Sequence, residues 1–202
     1  MIYCYTMNTK IAVDMDEVLV KFLKPMSVWK GYKLPNKIHY PYVYREIFNI
    51  PEEESAKMVR GFYNSDAFKN LKPIPGSQYA MLSMRNTAKK MYIVTGRHDV
   101  SRETTENWVH EYFPGIFDDV ILTNSYTPNE VSKADICRSL AINSIIDDNI
   151  NICNDCINNG IKAINFIGDG TEIYPWCWNP EFPETDMLKM QYGWKKWKPY
   201  DI

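Results

Sequence analysis

Short apolar runs alternate with longer, helix-like stretches from residue 10 onward, and this alternation limits the possible folds more than any other feature. Runs bounded by polar residues or glycine predict strands that are buried on both faces. Because helical stretches separate them, we expect βαβ units and a parallel sheet. The predicted strands are residues 11–13, 91–94, 120–122, 144–146 and 161–167.

Helix signals lie between these runs. Pro75 stands in the first turn of one candidate helix, and Ser132 and Asn149 can each accept a hydrogen bond from a free N–H at a helix start. Gly160 is a typical left-handed terminator. The predicted helices are residues 75–90, 101–113, 133–140 and 149–160. The fold class is therefore predicted as α/β, a Rossmann-like parallel sheet flanked by helices.

The stretch between the first two strands is much longer than one crossover requires. Its pattern is mostly helical, with Pro51 followed by three glutamates at one helix start. We expect residues 1–19 and 73–202 to form the α/β core and residues 20–72 to form an inserted small helical cap. Its aromatic side chains either fill a core or face a cleft beneath the cap: Trp29, Tyr32, Tyr40, Tyr42, Tyr44, Phe48, Phe62, Tyr63 and Phe68.

The tail from Tyr174 combines four tryptophans with lysines. Such a segment could stack on single-stranded nucleic acid. Packing across the sheet, with the lysines in solvent, is the favoured interpretation. The tryptophans are Trp176, Trp178, Trp194 and Trp197.

Composition narrows the class of protein. Hydrophobic residues make up 45% of 202 residues, enough for a buried core. The net charge of −2 gives no basic field for non-specific nucleic-acid binding. No apolar stretch approaches the roughly 20 residues of a membrane helix, and the N-terminus lacks a signal-peptide pattern. Five irregularly spaced cysteines argue against a disulfide framework. We expect a cytoplasmic protein without a membrane partner.

Polar residues suited to phosphate and metal chemistry follow the predicted strands. Asp14 and Asp16 follow the first strand, and Asp147-Asp148 follow the fourth. Lys133 opens the helix after the third strand, and Thr95-Gly96-Arg97 follow the second. The carboxyl ends of parallel strands are where such sheets bind ligands. We therefore expect these side chains to meet in one site.

Each residue type in this set has a matching chemistry. Carboxylates are the hard oxygen ligands that Mg²⁺ prefers. A lysine, a threonine hydroxyl and backbone N–H groups can hold a phosphoryl group. One aspartate can attack phosphorus, and a second carboxylate two residues later can serve as general acid and then base.

These motifs, in this order, resemble the haloacid dehalogenase superfamily of phosphatases. Within it, the chain is most similar to the 5′(3′)-deoxyribonucleotidases and related nucleotidase-like proteins. The resemblance covers about residues 10 to 167. The stretches that carry it are residues 13–19, 71–76, 93–97, 107–109, 121–123 and 145–148, with Lys133.

The resemblance implies roles for the two leading carboxylates. Asp14 would attack phosphorus and form an aspartyl-phosphate. Asp16 would protonate the leaving oxygen and later activate a water molecule. Mg²⁺ would bind Asp14, the backbone carbonyl of Asp16 and Asp147, with Asp148 as a further candidate.

The resemblance also assigns a phosphate site, with one departure nearby. Thr95 and Lys133 would hold the phosphate, beside Gly96. Arg97 stands in a Thr-Gly-Arg sequence where the animal enzymes have Thr-Ser-Pro, so it could contact the phosphate or form a salt bridge at the rim. Glu17 stands where glycine is common, which predicts a less permissive turn.

Several functions remain open at this point. The leading one is hydrolysis of nucleoside or deoxynucleoside monophosphates, with a small phosphate ester as the partner. A polynucleotide 3′-phosphatase is the alternative that would bind nucleic acid, and a phosphatase of another small phosphometabolite is a third. A catalytically dead binding protein is disfavoured, because every expected catalytic residue is present. A homodimer is left open.

Overall fold

The computed structural model describes residues 9–34, 44–168, 188–190 and 193–196, with only the backbone described for 188–190. The strands are β1 Lys10–Val13, β2 Lys90–Thr95, β3 Asp119–Leu122, β4 Ser144–Asp147, β5 Lys162–Phe166 and β6 Leu188–Met190. The helices are α1 Leu23–Lys30, α2 Tyr44–Phe48, α3 Glu52–Tyr63, α4 Asp66–Lys69, α5 Ser77–Arg85, α6 Arg102–Tyr112, α7 Lys133–Ser139 and α8 Ile150–Asn158. Short 3₁₀ helices occur at Asp99–Ser101 and Trp194–Lys196.

The strands form one parallel sheet in the order β3-β2-β1-β4-β5-β6. This arrangement confirms the predicted α/β class and its five strands. The sixth strand was not predicted. β6 spans only three residues within the tryptophan- and lysine-rich tail, where no apolar run marks it.

The two faces of the sheet bury two different cores. Ile11 and Val13 of β1 join the larger core, whereas Ala12 between them joins the smaller one. This division follows from the strand geometry, since successive side chains point to opposite faces. Trp108 of α6 packs in the larger core, and Cys137 of α7 packs in the smaller one. Helices therefore cover both faces, as the buried strands required.

Most of the predicted helix limits are confirmed. Ser132 and Asn149 each accept hydrogen bonds from backbone N–H groups at the starts of α7 and α8. Gly160 follows α8 with a φ of 77°, in the left-handed region. The predicted end of the first core helix is wrong, because α5 ends at Arg85 and Lys90 already belongs to β2.

Within the described part of residues 20–72, helices α1 to α4 pack around a cluster of aromatic rings. Phe22 contacts Phe62 edge to face at 5.1 Å between ring centroids, and Phe62 contacts Phe68 at 5.6 Å. These rings belong to the same core as Val13 and Ile93 of the sheet. The helical character of the insertion is as expected, and its treatment as a separate cap stays a prediction.

Trp194 of the tail packs against the core. Its ring stacks on Phe166 at 4.9 Å, and its indole N–H donates to the carbonyl of Val18 at 2.6 Å. Gly76 permits this approach, because a Cβ there would lie 2.8 Å from the backbone nitrogen of Lys195. Packing, rather than solvent exposure, is thus the state of this tryptophan. Trp176, Trp178 and Trp197, with Tyr40 and Tyr42, lie outside the described residues.

A span of the bilayer requires a long apolar helix. None of the helices in the described residues combines that length with that hydrophobicity.

Candidate active site

The register of β1 and β4 brings two carboxylates together at the carboxyl end of the sheet. Val13 pairs with Ile146, so the next residues, Asp14 and Asp147, lie side by side. The N–H of Asp14 donates to the carbonyl of Ile146 at 2.8 Å, which extends the strand pairing by one residue. Both side chains are buried, with Asp147 fully removed from solvent.

Lys133 links these two carboxylates. Its Nζ donates to Oδ1 of Asp14 and to Oδ2 of Asp147, both at 2.7 Å. The side chain is only 6% exposed, so the ammonium lies between two carboxylates in a nearly dry environment. Ser132 positions it by accepting hydrogen bonds from the N–H groups of Ala134 and Asp135 at the start of α7.

A third carboxylate joins the cluster. Oxygen atoms of Asp14, Asp147 and Asp148 lie within 4.8 Å of one another, and all three residues are buried. Buried carboxylates at this spacing fit a hard divalent cation, which would offset their mutual repulsion. The donor set therefore suits Mg²⁺. The side chain of Asp16 is not part of this cluster, and metal binding by its backbone carbonyl stays a prediction.

Burial dominates the electrostatics of the cluster. It raises the pKa of Asp14 to about 7, and Asp147 and Asp16 add to that rise, while Lys133 opposes it. Burial alone would lower the pKa of Lys133, but Asp14 and Asp147 outweigh it and hold that pKa above its ordinary value. The two carboxylates therefore favour the charged form of the lysine.

The carboxyl end of β2 supplies the expected phosphate-binding residues. Thr95 is fully buried at the end of the strand, and Gly96 follows it. The carbonyl of Gly96 accepts a hydrogen bond from the N–H of Ser125 at 3.1 Å. A Cβ at Gly96 would lie 3.0 Å from Oγ of Ser125, so this position favours glycine. Thr95 and Gly96 line the same cavity as Asp14, and their roles in phosphate binding stay predictions.

Arg97 forms an ion pair with Asp16, 81 residues away in sequence. Nε donates to Oδ2 at 3.0 Å and Nη2 donates to Oδ1 at 2.7 Å, which makes the contact bidentate. A salt bridge was one of the two interpretations of this arginine. The structure adds that it is buried rather than at the rim, because the side chain of Arg97 is 2% exposed.

Glu17 adopts the strained turn that its position implied. Its φ is 63°, in the left-handed region that glycine normally occupies. The side chain turns inward, where Oε1 accepts hydrogen bonds from the N–H groups of Phe22 at 2.9 Å and Leu23 at 2.8 Å. These bonds fix the start of α1 and offset the backbone strain. Burial raises the pKa of Glu17 to about 7, against the effect of Lys21.

This buried carboxyl predicts a pH-dependent stability. Because the folded protein raises the pKa from 4.5 to about 7, the contribution of Glu17 to stability is full below pH 4.5 and declines as the pH rises through 7. Glu17→Gln keeps an oxygen acceptor and removes the titration. Urea unfolding of the metal-free proteins should show a wild type that loses up to about 3 kcal/mol relative to this variant between pH 4.5 and 8.

Glu103→Gln on the exposed surface of α6 is the matched control and should leave the pH dependence as in the wild type. Parallel stability curves for the wild type and Glu17→Gln would contradict the shifted pKa.

A cavity of about 420 Å³ opens above these residues. Asp14, Asp16, Thr95, Arg97 and Lys133 lie on its walls. The inserted helices and the loop after β3 form the other side. Its further lining residues include Phe22, Tyr44, Glu52, Val59, Tyr63, His98, Ser125, Tyr126, Glu130, Asn149, Asn151 and Asp155.

The sequence-predicted residues thus meet in one place, while part of the cavity was not foreseen. Tyr44 and Tyr63 are two of the aromatic residues of the insertion expected to face either a core or a cleft, and they line the cavity. Ser125, Tyr126 and Asp155 carried no sequence signal, because each depends on how a loop or a helix face turns toward the sheet. The Thr123 hydroxyl, bonded to that of Ser125 at 3.1 Å, could have been suspected from its place at a strand end.

Residues 8–139 match the family described as 5′ nucleotidase, deoxy (pyrimidine), cytosolic type C protein. The chain belongs to this family. The match includes the residues from Asp14 through Lys133, and Asp147 and Asp148 follow it in the chain. Comparison with curated protein sequences gives no significant match.

Solved structures share the fold of this nucleotidase-family chain. A haloacid dehalogenase-like hydrolase from Bacteroides fragilis has a TM-score of 0.63 at 11% identity, covering 90% of this chain and 96% of its own. A haloacid dehalogenase-like family hydrolase from Streptococcus pneumoniae has a TM-score of 0.60 at 14% identity, covering 90% and 93%. CbbY from Rhodobacter sphaeroides, solved with phosphate, has a TM-score of 0.58 at 13% identity, covering 90% and 93%. At these identities the likeness concerns the fold, which is haloacid dehalogenase-like.

Proposed function

We propose that the protein is a Mg²⁺-dependent phosphatase that hydrolyses nucleoside or deoxynucleoside monophosphates. The observation that carries this proposal is the buried contact of Lys133 with Asp14 and Asp147 beneath the cavity. A lysine held by two carboxylates, with a third close by, is an arrangement suited to binding a phosphate and a cation together. Membership of a nucleotidase family supports the same chemistry.

The first step is transfer of the phosphoryl group to Asp14. A carboxylate oxygen of Asp14 forms a bond to phosphorus while the bond from phosphorus to the ester oxygen breaks. Asp16 donates a proton to that leaving oxygen, so the alcohol departs neutral. Lys133 keeps the attacking carboxylate oriented. The hydroxyl of Thr95, the backbone beside Gly96 and Lys133 are the groups proposed to bind the phosphoryl oxygens.

The second step releases phosphate. Asp16, now ionised, takes a proton from a water molecule whose oxygen attacks the phosphorus of the aspartyl-phosphate. The acyl phosphate bond breaks, and Asp14 is regenerated as a carboxylate. Asp14, Asp147, Asp148 and the backbone carbonyl of Asp16 are the residues that would hold Mg²⁺. When bound, the ion would neutralise charge on the phosphate and on the carboxylates that face it.

The cavity supports a small substrate over a polynucleotide. Its volume of about 420 Å³ is within the range of small-molecule sites. Exposed carboxylates of Glu130 and Asp155 lie among its described lining residues. These negative charges would repel the further phosphates of a nucleic-acid strand. The rings of Tyr44 and Tyr63 offer aromatic surface that a nucleobase can contact.

A phosphate-release screen tests the proposal. With Mg²⁺, the purified protein should release phosphate from nucleoside or deoxynucleoside monophosphates, and an excess of chelator should abolish the release. Asp147→Asn should raise the Mg²⁺ concentration needed for half-maximal activity by at least about tenfold, because one anionic ligand is lost. Asp119→Asn, at the exposed start of β3, is the matched control and should leave that concentration unchanged.

Two results of the screen would contradict the proposal. Full activity in excess chelator would exclude the metal-dependent mechanism. Preference for a 3′-phosphorylated oligonucleotide over every monophosphate would favour the polynucleotide phosphatase instead.

The family description, which names cytosolic proteins, supports a cytoplasmic location for the enzyme.

A further inference from the structure

Arg97 has every one of its guanidinium nitrogens engaged by the protein. Nε and Nη2 donate to the carboxylate of Asp16, and Nη1 donates to Oγ1 of Thr105 on α6 at 3.1 Å. Its side chain is 2% exposed. These bonds use three of the five guanidinium N–H groups and fix the plane of the side chain, so moving Arg97 toward a phosphate in the cavity would break at least one of them. The geometry therefore argues against a primary role in phosphate binding.

The contact with Asp16 fixes the direction of that carboxylate. A guanidinium is planar and rigid, so two parallel N–H···O hydrogen bonds restrict both the position and the rotation of the carboxylate that accepts them. Asp16 is 22% exposed and lines the cavity, which leaves room for it to face a substrate while it is held. A general acid and base must lie within hydrogen-bond reach of the proton it moves, so a fixed direction favours both of its steps.

Arg97 also contacts the inserted helices. Its guanidinium carbon lies 4.7 Å from the ring centroid of Phe68 on α4 and 6.0 Å from that of Phe22. Both distances are within the range of cation–π contact. The same side chain thus joins the aromatic cluster of the insertion, the helix α6 and the carboxylate of Asp16.

We propose that Arg97 is a positioning residue for Asp16: seated between Phe68, Phe22 and Thr105, it holds the acid–base carboxylate toward the cavity instead of binding substrate phosphate. This inference rests on the proposed function, since it concerns how Asp16 performs proton transfer. It assigns the departure from Thr-Ser-Pro a role in orienting a catalytic side chain. It also links the packing of the inserted helices to the chemistry of the site.

The test compares two esters that differ in their need for a proton. The leaving group of a nucleoside monophosphate is an alkoxide, which departs poorly without a proton. The leaving group of nitrophenyl phosphate is a stable nitrophenolate. With Mg²⁺, Arg97→Met should lower kcat/KM for the nucleotide by about 10- to 100-fold, and for nitrophenyl phosphate by about threefold or less. Arg97→Lys keeps the charge without the rigid fork and should give an intermediate loss for the nucleotide.

A double variant supplies the decisive comparison. If Arg97 acts through Asp16, adding Arg97→Met to Asp16→Asn should change kcat/KM for either ester by no more than about threefold. Arg102→Met removes a neighbouring arginine whose ion pairs are exposed, and it should leave the ratio between the two esters unchanged. Thermal unfolding of each variant separates a loss of folded protein from a loss of catalysis.

The other outcomes are distinct. Equal losses on both esters, persisting in the Asp16→Asn background and accompanied by weaker inhibition by inorganic phosphate, would mean that Arg97 binds phosphate. Equal losses with a lowered melting temperature would make its role structural. If the wild-type protein is an active phosphatase, either result overturns this inference and leaves the proposed function standing. A wild-type protein without phosphatase activity on any ester overturns the proposed function, and this inference falls with it.

Discussion

Replacing Asp14 with Asn is expected to reduce turnover of every phosphate ester by at least roughly 10⁴-fold, a loss of the size seen when a catalytic nucleophile is removed. An amide oxygen is a much poorer nucleophile than a carboxylate, and the acyl phosphate intermediate cannot form on it. The fold should persist, because Lys133 keeps its 2.7 Å contact with Asp147 and the site loses one of several crowded negative charges. Steady-state assays with Mg²⁺ and a melting curve measure the two effects separately.

Asp135→Asn is the matched control for this substitution. Asp135 pairs with Arg138 on the exposed side of α7, and 55% of its side chain is exposed. Its replacement should leave turnover within about twofold of the wild type, as for most exposed surface positions. An Asp14→Asn variant that retained turnover comparable with this control would show that another residue attacks phosphorus.

Replacing Asp16 with Asn is expected to have the next largest effect. Loss of general acid–base catalysis should slow nucleotide hydrolysis by roughly 10²–10⁴-fold. Formation of the phosphoenzyme from nitrophenyl phosphate should suffer much less, because that leaving group departs without a proton. A rapid release of nitrophenolate followed by slow turnover would display this difference, since the second step still needs a base. Equal slowing of the nucleotide and nitrophenyl reactions in the first step would contradict the acid role of Asp16.

The sheet was predictable because its signals are local. The apolar runs that became β1 to β5 each end at a polar residue or glycine, and their alternation with helices specified parallel strands. The gathering of Asp14, Lys133 and Asp147 followed from the same rule, since the carboxyl ends of neighbouring parallel strands share one edge. Asn149 and Ser132 as helix caps were also visible, because capping depends on one residue and its immediate neighbours.

What could not be predicted depends on contacts between distant residues. The pairing of Arg97 with Asp16 requires the loop after β2 to turn toward the loop after β1, and no local pattern encodes that turn. The inward rotation of Glu17, which caps α1, likewise depends on the positive φ that places its side chain. β6 was missed because strand pairing with β5, rather than its own composition, makes it a strand.

In the proposed mechanism, Asp14 carries a covalent phosphate during the reaction. The most direct measurement is mass analysis of Asp16→Asn protein that has been incubated with Mg²⁺ and nitrophenyl phosphate and then quenched in acid. We expect one added phosphate, located in the peptide that contains Asp14, and none in the Asp14→Asn/Asp16→Asn double variant. Phosphate on a different residue, or an active enzyme that never retains phosphate under these conditions, would contradict it.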